Sequence, residues 1–237
     1  ISLPDNIDVL WASRQPASMY NQPAYRENLD KAVDDWYNAL GRDRSRLAIW
    51  EYIHRPQVWT KIPVWAPRSQ QRFLQNNKEK FSGMFLNFGS QTPLSFPFLA
   101  ISTELLWDSD LDVDAYYDEF CDLMFGPAGE TMRQLFALII DRYENTVWTQ
   151  SLGHPVINDN AAHGKIFPPE TVYEAKALLE QAREIAVAQG REIDLARIDY
   201  MINAGGEWGF DAFFRASDAY HQPLRAETIT VPFVREG

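Results

Sequence analysis

The sequence predicts a mixed α/β chain, and three observations predict it. Short apolar runs rich in β-branched and aromatic residues begin near residues 7, 46 and 82, each followed by a loop and a segment of helical periodicity. Their separations, 39 and 36 residues, suit β/α units with enlarged loops, since an eight-unit barrel of about 250 residues spends about 31 per unit. Beyond residue 107 the periodic segments are helical. The expected organisation is therefore a partial (β/α) barrel of three strand-helix units over 1–107 and a helical C-terminal extension over 108–237. Three units cannot close a barrel, so either further strands precede Ile1 or the sheet is a small, open, three-layer one.

The first strand is expected over residues 7–12 (IDVLWA), bounded by Pro4 and Asn6 before it and Pro16 after it. Tyr25, Leu29, Ala32, Trp36 and Leu40 then recur at helical spacing, with Gly41 placed as a C′ glycine. Residues 47–53 (LAIWEYI) form the second strand, a Pro- and Trp-rich loop covers 54–68, and a helix covers 69–80. The third unit is a strand over 83–88 (GMFLNF) and a helix around 96–107. Asp112 is placed to cap a helix with the stripe Tyr117, Phe120, Cys121, Met124 and Phe125, ended by Gly126-Pro127. A second helix carries Met132, Leu135, Phe136, Ile139, Tyr143 and Val147. A linker follows over 151–168, and then a third helix runs from Val172 to a stop at Gly190. The fourth is expected over 191–219, weakened by Gly205 and Gly206, and an edge strand over 228–234.

Composition narrows the function. There are 33 acidic residues against 22 Lys and Arg, a net charge of −11, which disfavours nucleic acid or an anionic membrane as partner. A hydrophobic content of 46% excludes wholesale disorder, and no apolar run reaches the roughly 18 residues of a membrane span. The one cysteine, Cys121, leaves no internal disulfide and no Cys-cluster zinc site, so redox usage does not fix the compartment. The chain opens on Ile1 without a signal-type segment, as the mature or cut remainder of something longer would.

The strongest chemical signal is Trp50-Glu51-Tyr52-Ile53-His54, a strand running into a carboxylate, a phenol and an imidazole where parallel α/β folds bind ligands. Glu51 alternates with Leu47 and Ile49. A charge against the helical layer is costly unpaired, so the expected place for Glu51 is inward, near a barrel mouth, with Trp50 and Tyr52 on the other side. It is either a sugar-binding or proton-transfer carboxylate, or a strand-end Glu paired with Arg14 or Arg55. Trp11 and Arg14 end the first strand and Asn87 the third; Trp11 suits core packing as well as sugar stacking. Trp59 and Trp65 lie in the proline-rich loop, where exposed rings serve an interface or ligand and buried ones dock on the rim. No HExxH, GxSxG, P-loop or GxGxxG occurs, so no metal or cofactor is expected. The acidic run 107–114 lacks the glycine and terminal Glu of an EF-hand and fits a solvated helix cap, and Cys121 fits inert core. An acidic, aromatic, strand-end site suits a neutral polyhydroxylated ligand.

One ordered series goes further: Ile49-Trp50-Glu51-Tyr52, Phe81-Ser82-Gly83-Met84-Phe85, Glu104-Leu105-Leu106-Trp107-Asp108, Tyr116-Tyr117-Asp118-Glu119-Phe120 and Phe125-Gly126-Pro127-Ala128. Over about residues 5–215 it resembles the bacterial domain-of-unknown-function 4838 family, found in endo-β-N-acetylglucosaminidases of glycoside hydrolase family 163. That family more often carries Asp where this chain has Glu51, and Tyr where it has Phe125. The resemblance implies the last three units of a (β/α)8 TIM-type barrel and a secreted, periplasmic or cell-surface location. It also implies retaining hydrolysis assisted by the substrate's 2-acetamido group. The adjacent acidic pair of such enzymes would lie on a strand before Ile1, so no catalytic residue is assigned to this chain. The expected partners are the glycan and the N-terminal remainder of the barrel. Candidate substrate-binding residues are Trp11, Arg14, Trp50, Glu51, Tyr52, His54, Asn87, Trp59 and Trp65. The alternatives are a non-catalytic carbohydrate-binding module and a structural or partner-binding domain that pairs through an open sheet edge.

Overall fold

The structure, a computed structural model, describes residues 2–13, 16–53, 60–88, 92–148, 157–203, 206 and 208–227. Three strands, β1 (Val9–Ala12), β2 (Leu47–Glu51) and β3 (Gly83–Leu86), pair in parallel and in chain order. Val9 stands opposite Leu47 and Ala48 opposite Gly83. Helices α1 (Pro23–Ala39) and α2 (Pro67–Asn77) lie in the crossovers, and α3 (Thr92–Trp107) follows β3. Then come α4 (Val113–Phe125), α5 (Gly129–Asn145), a π-helix (Asn160–Ile166), α6 (Pro169–Ala188), α7 (Glu192–Asn203) and α8 (Phe210–Glu227). The chain is a mixed α/β protein, mostly helical around a small parallel sheet.

Local chemistry accounts for the boundaries. Proline, whose φ is already helical, opens α1 and α2. Gly41, at φ 71°, takes the left-handed turn after α1. Asp112 caps α4 by accepting from the Asp114 and Ala115 amides at 3.0 and 3.1 Å. The sequence of α3 is apolar almost all round because it packs between α2 and α7.

Consecutive parallel strands joined by right-handed crossovers put every connecting helix on one face. Burial follows that rule. Leu47, Ile49 and Glu51 are buried on the covered face, whereas Leu10 and Phe85 on the other are 54% and 52% exposed. One continuous core cluster runs from Ala17 to Phe213, and Val9, Trp11, Met84 and Leu86 pack against it from the sheet. Side chains after β1 also end α5. Asn21 donates to the Tyr143 and Glu144 carbonyls and Gln22 to that of Thr146, while the Gln22 side-chain oxygen accepts from the Trp148 amide.

Two expectations are corrected. The linker expected over 151–168 contains the π-helix Asn160–Ile166. Arg142 donates to the carbonyls of Ile166 and Lys165, and a His221 ring nitrogen to that of His163, so carbonyls left free at the C-terminal end of this helix find partners. The helix expected over 191–219 breaks into α7 and α8. Gly206 sits at φ 63°, and Gly209 approaches so closely that a Cβ there would lie 2.1 Å from the Ile202 carbonyl. The segment 228–234 lies outside the described residues.

Candidate functional site

The carboxyl ends of the strands converge at Ala12, Glu51 and Leu86, and the ladder runs a step beyond them. The Ser13 amide donates to the Trp50 carbonyl at 3.2 Å, and the Asn87 amide to the Glu51 carbonyl at 2.7 Å. On the uncovered face Trp50 forms an aromatic cluster, its ring 4.5 Å from Phe85 and 6.2 Å from Tyr52. The indole N–H of Trp50 is shielded from solvent and lacks a hydrogen-bond partner. Half-buried Asn87 flanks the cluster at the end of β3. Phe85 is a member that sequence reasoning missed. Its signal was present, since the register sets it opposite Trp50 and alternation sends both to one face.

Three expected site residues stand elsewhere. Glu51 is not at an inward mouth: it lies on the helix-covered face, 1% exposed, and accepts from the Ala17 amide at 2.7 Å. That amide belongs to the 3-10 turn Ala17–Met19, which roofs the strand end, so the helical layer itself supplies the polar contact whose absence would have made this burial costly. Burial pushes the Glu51 carboxyl up to about 8, against the pull of the Ala17 amide. Trp65 has no face to offer a ligand: it is fully buried, donates to the Leu94 carbonyl at 2.7 Å and packs edge-on against Phe136 and Phe210. Trp11 is half-buried against the core on the covered face, which answers the choice between packing and stacking in favour of packing. Arg14, His54 and Trp59 lie outside the described residues.

A second polar constellation sits between α2, α4 and α5, in a cleft of about 300 Å³. Glu144, buried at its floor, accepts from the Ser69 amide at 2.7 Å in the first turn of α2, and its other oxygen is 3.7 Å from Arg68. Burial raises its pKa against the pull of that amide and of Arg68. Arg68 also pairs with Asp114, and Arg133 with Asp118, Asp122 and Glu130, so the cleft walls are ion pairs that lock three helices together.

Among the described residues no group of three or more His, Cys, Asp or Glu is arranged to hold a metal ion. Burial pushes the Cys121 thiol up to about 12, far from a reactive thiolate. No helix among the described residues is long and apolar enough to cross a membrane. No family model, curated protein or solved structure matches this chain.

Proposed function

We propose that this chain is the C-terminal portion of a secreted or cell-surface (β/α)8-barrel glycoside hydrolase acting on N-acetylglucosamine-containing glycans. In this reading it is a retaining, substrate-assisted enzyme whose acidic pair lies on a strand upstream of residue 1. The observation that carries the reading is the one-sided sheet. Its strands are apolar on both faces, yet among the described residues helices cover only one, and the other face presents Leu10, Trp50 and Phe85. A parallel sheet is normally buried on both sides, and the wall of a barrel, with helices outside and strands within, has this arrangement. Trp50 and Tyr52 then line the substrate at the strand ends by stacking on sugar C–H faces, and Asn87 takes a hydroxyl. Glu51, buried under the Ala17 turn and out of a ligand's reach, is no catalytic acid in this scheme; it holds that turn.

The test is hydrolysis of an N-acetylglucosamine-containing glycan by the longer protein and by the 237-residue chain alone. The longer protein should turn over, and Trp50→Ala should lower its kcat/KM by about tenfold, the equivalent of one lost aromatic contact. Turnover by the short chain would sink the assignment of the acidic pair, and an unchanged kcat/KM would take Trp50 out of the site. The half-exposed Phe85 beside Trp50 also favours a second reading, a binding module without catalysis. That one requires calorimetric glycan affinity in the short chain that Trp50→Ala abolishes.

A further inference from the structure

His163, in the π-helix, is 1% exposed. Its Nε2 lies 3.0 Å from the Thr60 carbonyl, and a carbonyl only accepts, so Nε2 carries the proton. The other nitrogen, Nδ1, is buried and has no hydrogen-bond partner. The ring stacks on Phe213 and lies 5.8 Å from the Tyr220 ring, and a His221 ring nitrogen donates to the His163 carbonyl. A neutral imidazole tolerates this site at the cost of one unfilled acceptor. A protonated one would bury a positive charge and a donor with nothing to receive it.

The residue after Thr60 is the second half of the observation. Lys61 has φ 59°, a left-handed conformation that a lysine rarely adopts. Its ammonium sits 3.5 Å over the Trp208 ring, and the Trp208 carbonyl accepts from the Leu94 amide at the start of α3. The Thr60–Lys61 junction, on the path from β2 to α2, thus meets two contacts from the C-terminal half, His163 of the π-helix on Thr60 and Trp208 of the bend before α8 on the strained Lys61.

We propose that His163 is an acid-sensitive fastener, which when neutral holds the Thr60 carbonyl and so keeps Lys61 in its left-handed conformation, and when protonated is driven from its buried site and releases the junction. Among the described residues, the titratable groups facing the ring are Asp159 from the π-helix, which favours the charged form, and His221 with Tyr220 from α8. Burial, with a smaller push from His221, outweighs the Thr60 carbonyl and Asp159, which both favour the charged ring, and the His163 pKa lies below the ordinary 6.5. The junction is therefore closed at neutral pH and opens in acid. The consequence for the strand-end site, a rim that changes shape on acidification, rests on the glycan-handling reading; the fastener itself does not.

The test needs no glycan, so its failure is distinguishable from failure of that reading. The imidazole of His163 and the amides of Thr60 and Lys61 are followed by NMR from about pH 8 to about pH 5 in the whole chain. The expected result is one shared midpoint below about pH 6.5, with severalfold faster hydrogen exchange across 60–66 on the acid side after correction for intrinsic rates. His163→Gln, which keeps a side-chain N–H but does not titrate, should flatten both responses. Amides that ignore the His163 titration in the wild-type chain overturn the proposal whether or not the variant folds. So does an unchanged pH dependence in His163→Gln.

Discussion

At Glu51 a carboxyl has been carried into the core with one amide for company, and its titration becomes a statement about stability. The folded value is raised from an ordinary 4.5 to about 8. The sign follows: folding favours the protonated form, so its contribution is fully present below pH 4.5 and is lost as pH rises through about 8. Glu51→Gln keeps an oxygen for the Ala17 amide and removes the titration. We expect it to match wild type in urea unfolding near pH 4.5 and to be more stable at about pH 8, by on the order of a few kcal/mol. Equal midpoints at the higher pH would refute this. Gly126 supplies a second residue-scale case. It combines φ 50° with a position where a Cβ would meet Asp194 Oδ2 at 2.6 Å, and Asp194 is itself buried beneath Arg191. Gly126→Ala should cost roughly 1–3 kcal/mol, measured as a lowered urea midpoint at unchanged m-value. The sequence marked Gly126 as a helix stop through Pro127; the carboxylate against it comes from a residue 68 positions later, which no local pattern encodes.

Elements were readable wherever periodicity and punctuation agreed. The three strands, α1 and the cap at Asp112 follow from alternation, helical spacing and Gly41 at C′, whereas Pro67, which opens α2, falls inside the span expected as loop. The π-helix was hidden because its carbonyls are satisfied by Arg142 and His221, side chains from α5 and α8, rather than by a pattern of its own. The place of Glu51 was misread for a similar reason. Alternation grouped it with Leu47 and Ile49, as the structure does, but their shared face is the helix-covered one, because the Ala17 amide that makes a buried carboxyl tolerable comes from another unit. Arg46 shows the same long-range stapling at the N-terminus. From beside β2 it donates to the carbonyls of Pro4, Ile7 and Leu40, its side chain only 11% exposed. Removing it leaves those acceptors short of a charged donor. Arg46→Ala should cost roughly 2–3 kcal/mol and speed hydrogen exchange in β1 before the rest of the sheet. Uniform exchange across all three strands would mean that Arg46 does not anchor the N-terminal segment in particular.

The whole molecule is asymmetric about its sheet, and that asymmetry separates the readings of its function. If helices on one face suffice to fold the chain, the bare face is free for a further barrel wall or a ligand, and its residues contribute little to the stability of this chain alone. Ile49 pairs with Met84 and Phe85 with Trp50, one register step apart, so Ile49 and Phe85 point to opposite faces: Ile49 is fully buried, Phe85 is half-exposed. Ile49→Ala removes methylenes from the core and should cost about 2–5 kcal/mol. Phe85→Ser removes a larger side chain but should cost under about 1 kcal/mol, while reducing any self-association through the exposed apolar surface. Urea unfolding gives the first pair of numbers and sedimentation velocity the second. A loss in Phe85→Ser as large as in Ile49→Ala would mean that the bare face is closed in solution by the chain itself, and the barrel-wall argument would lose its footing. A small loss joined to a fall in association would leave an apolar parallel sheet face that the folded chain keeps open to another surface.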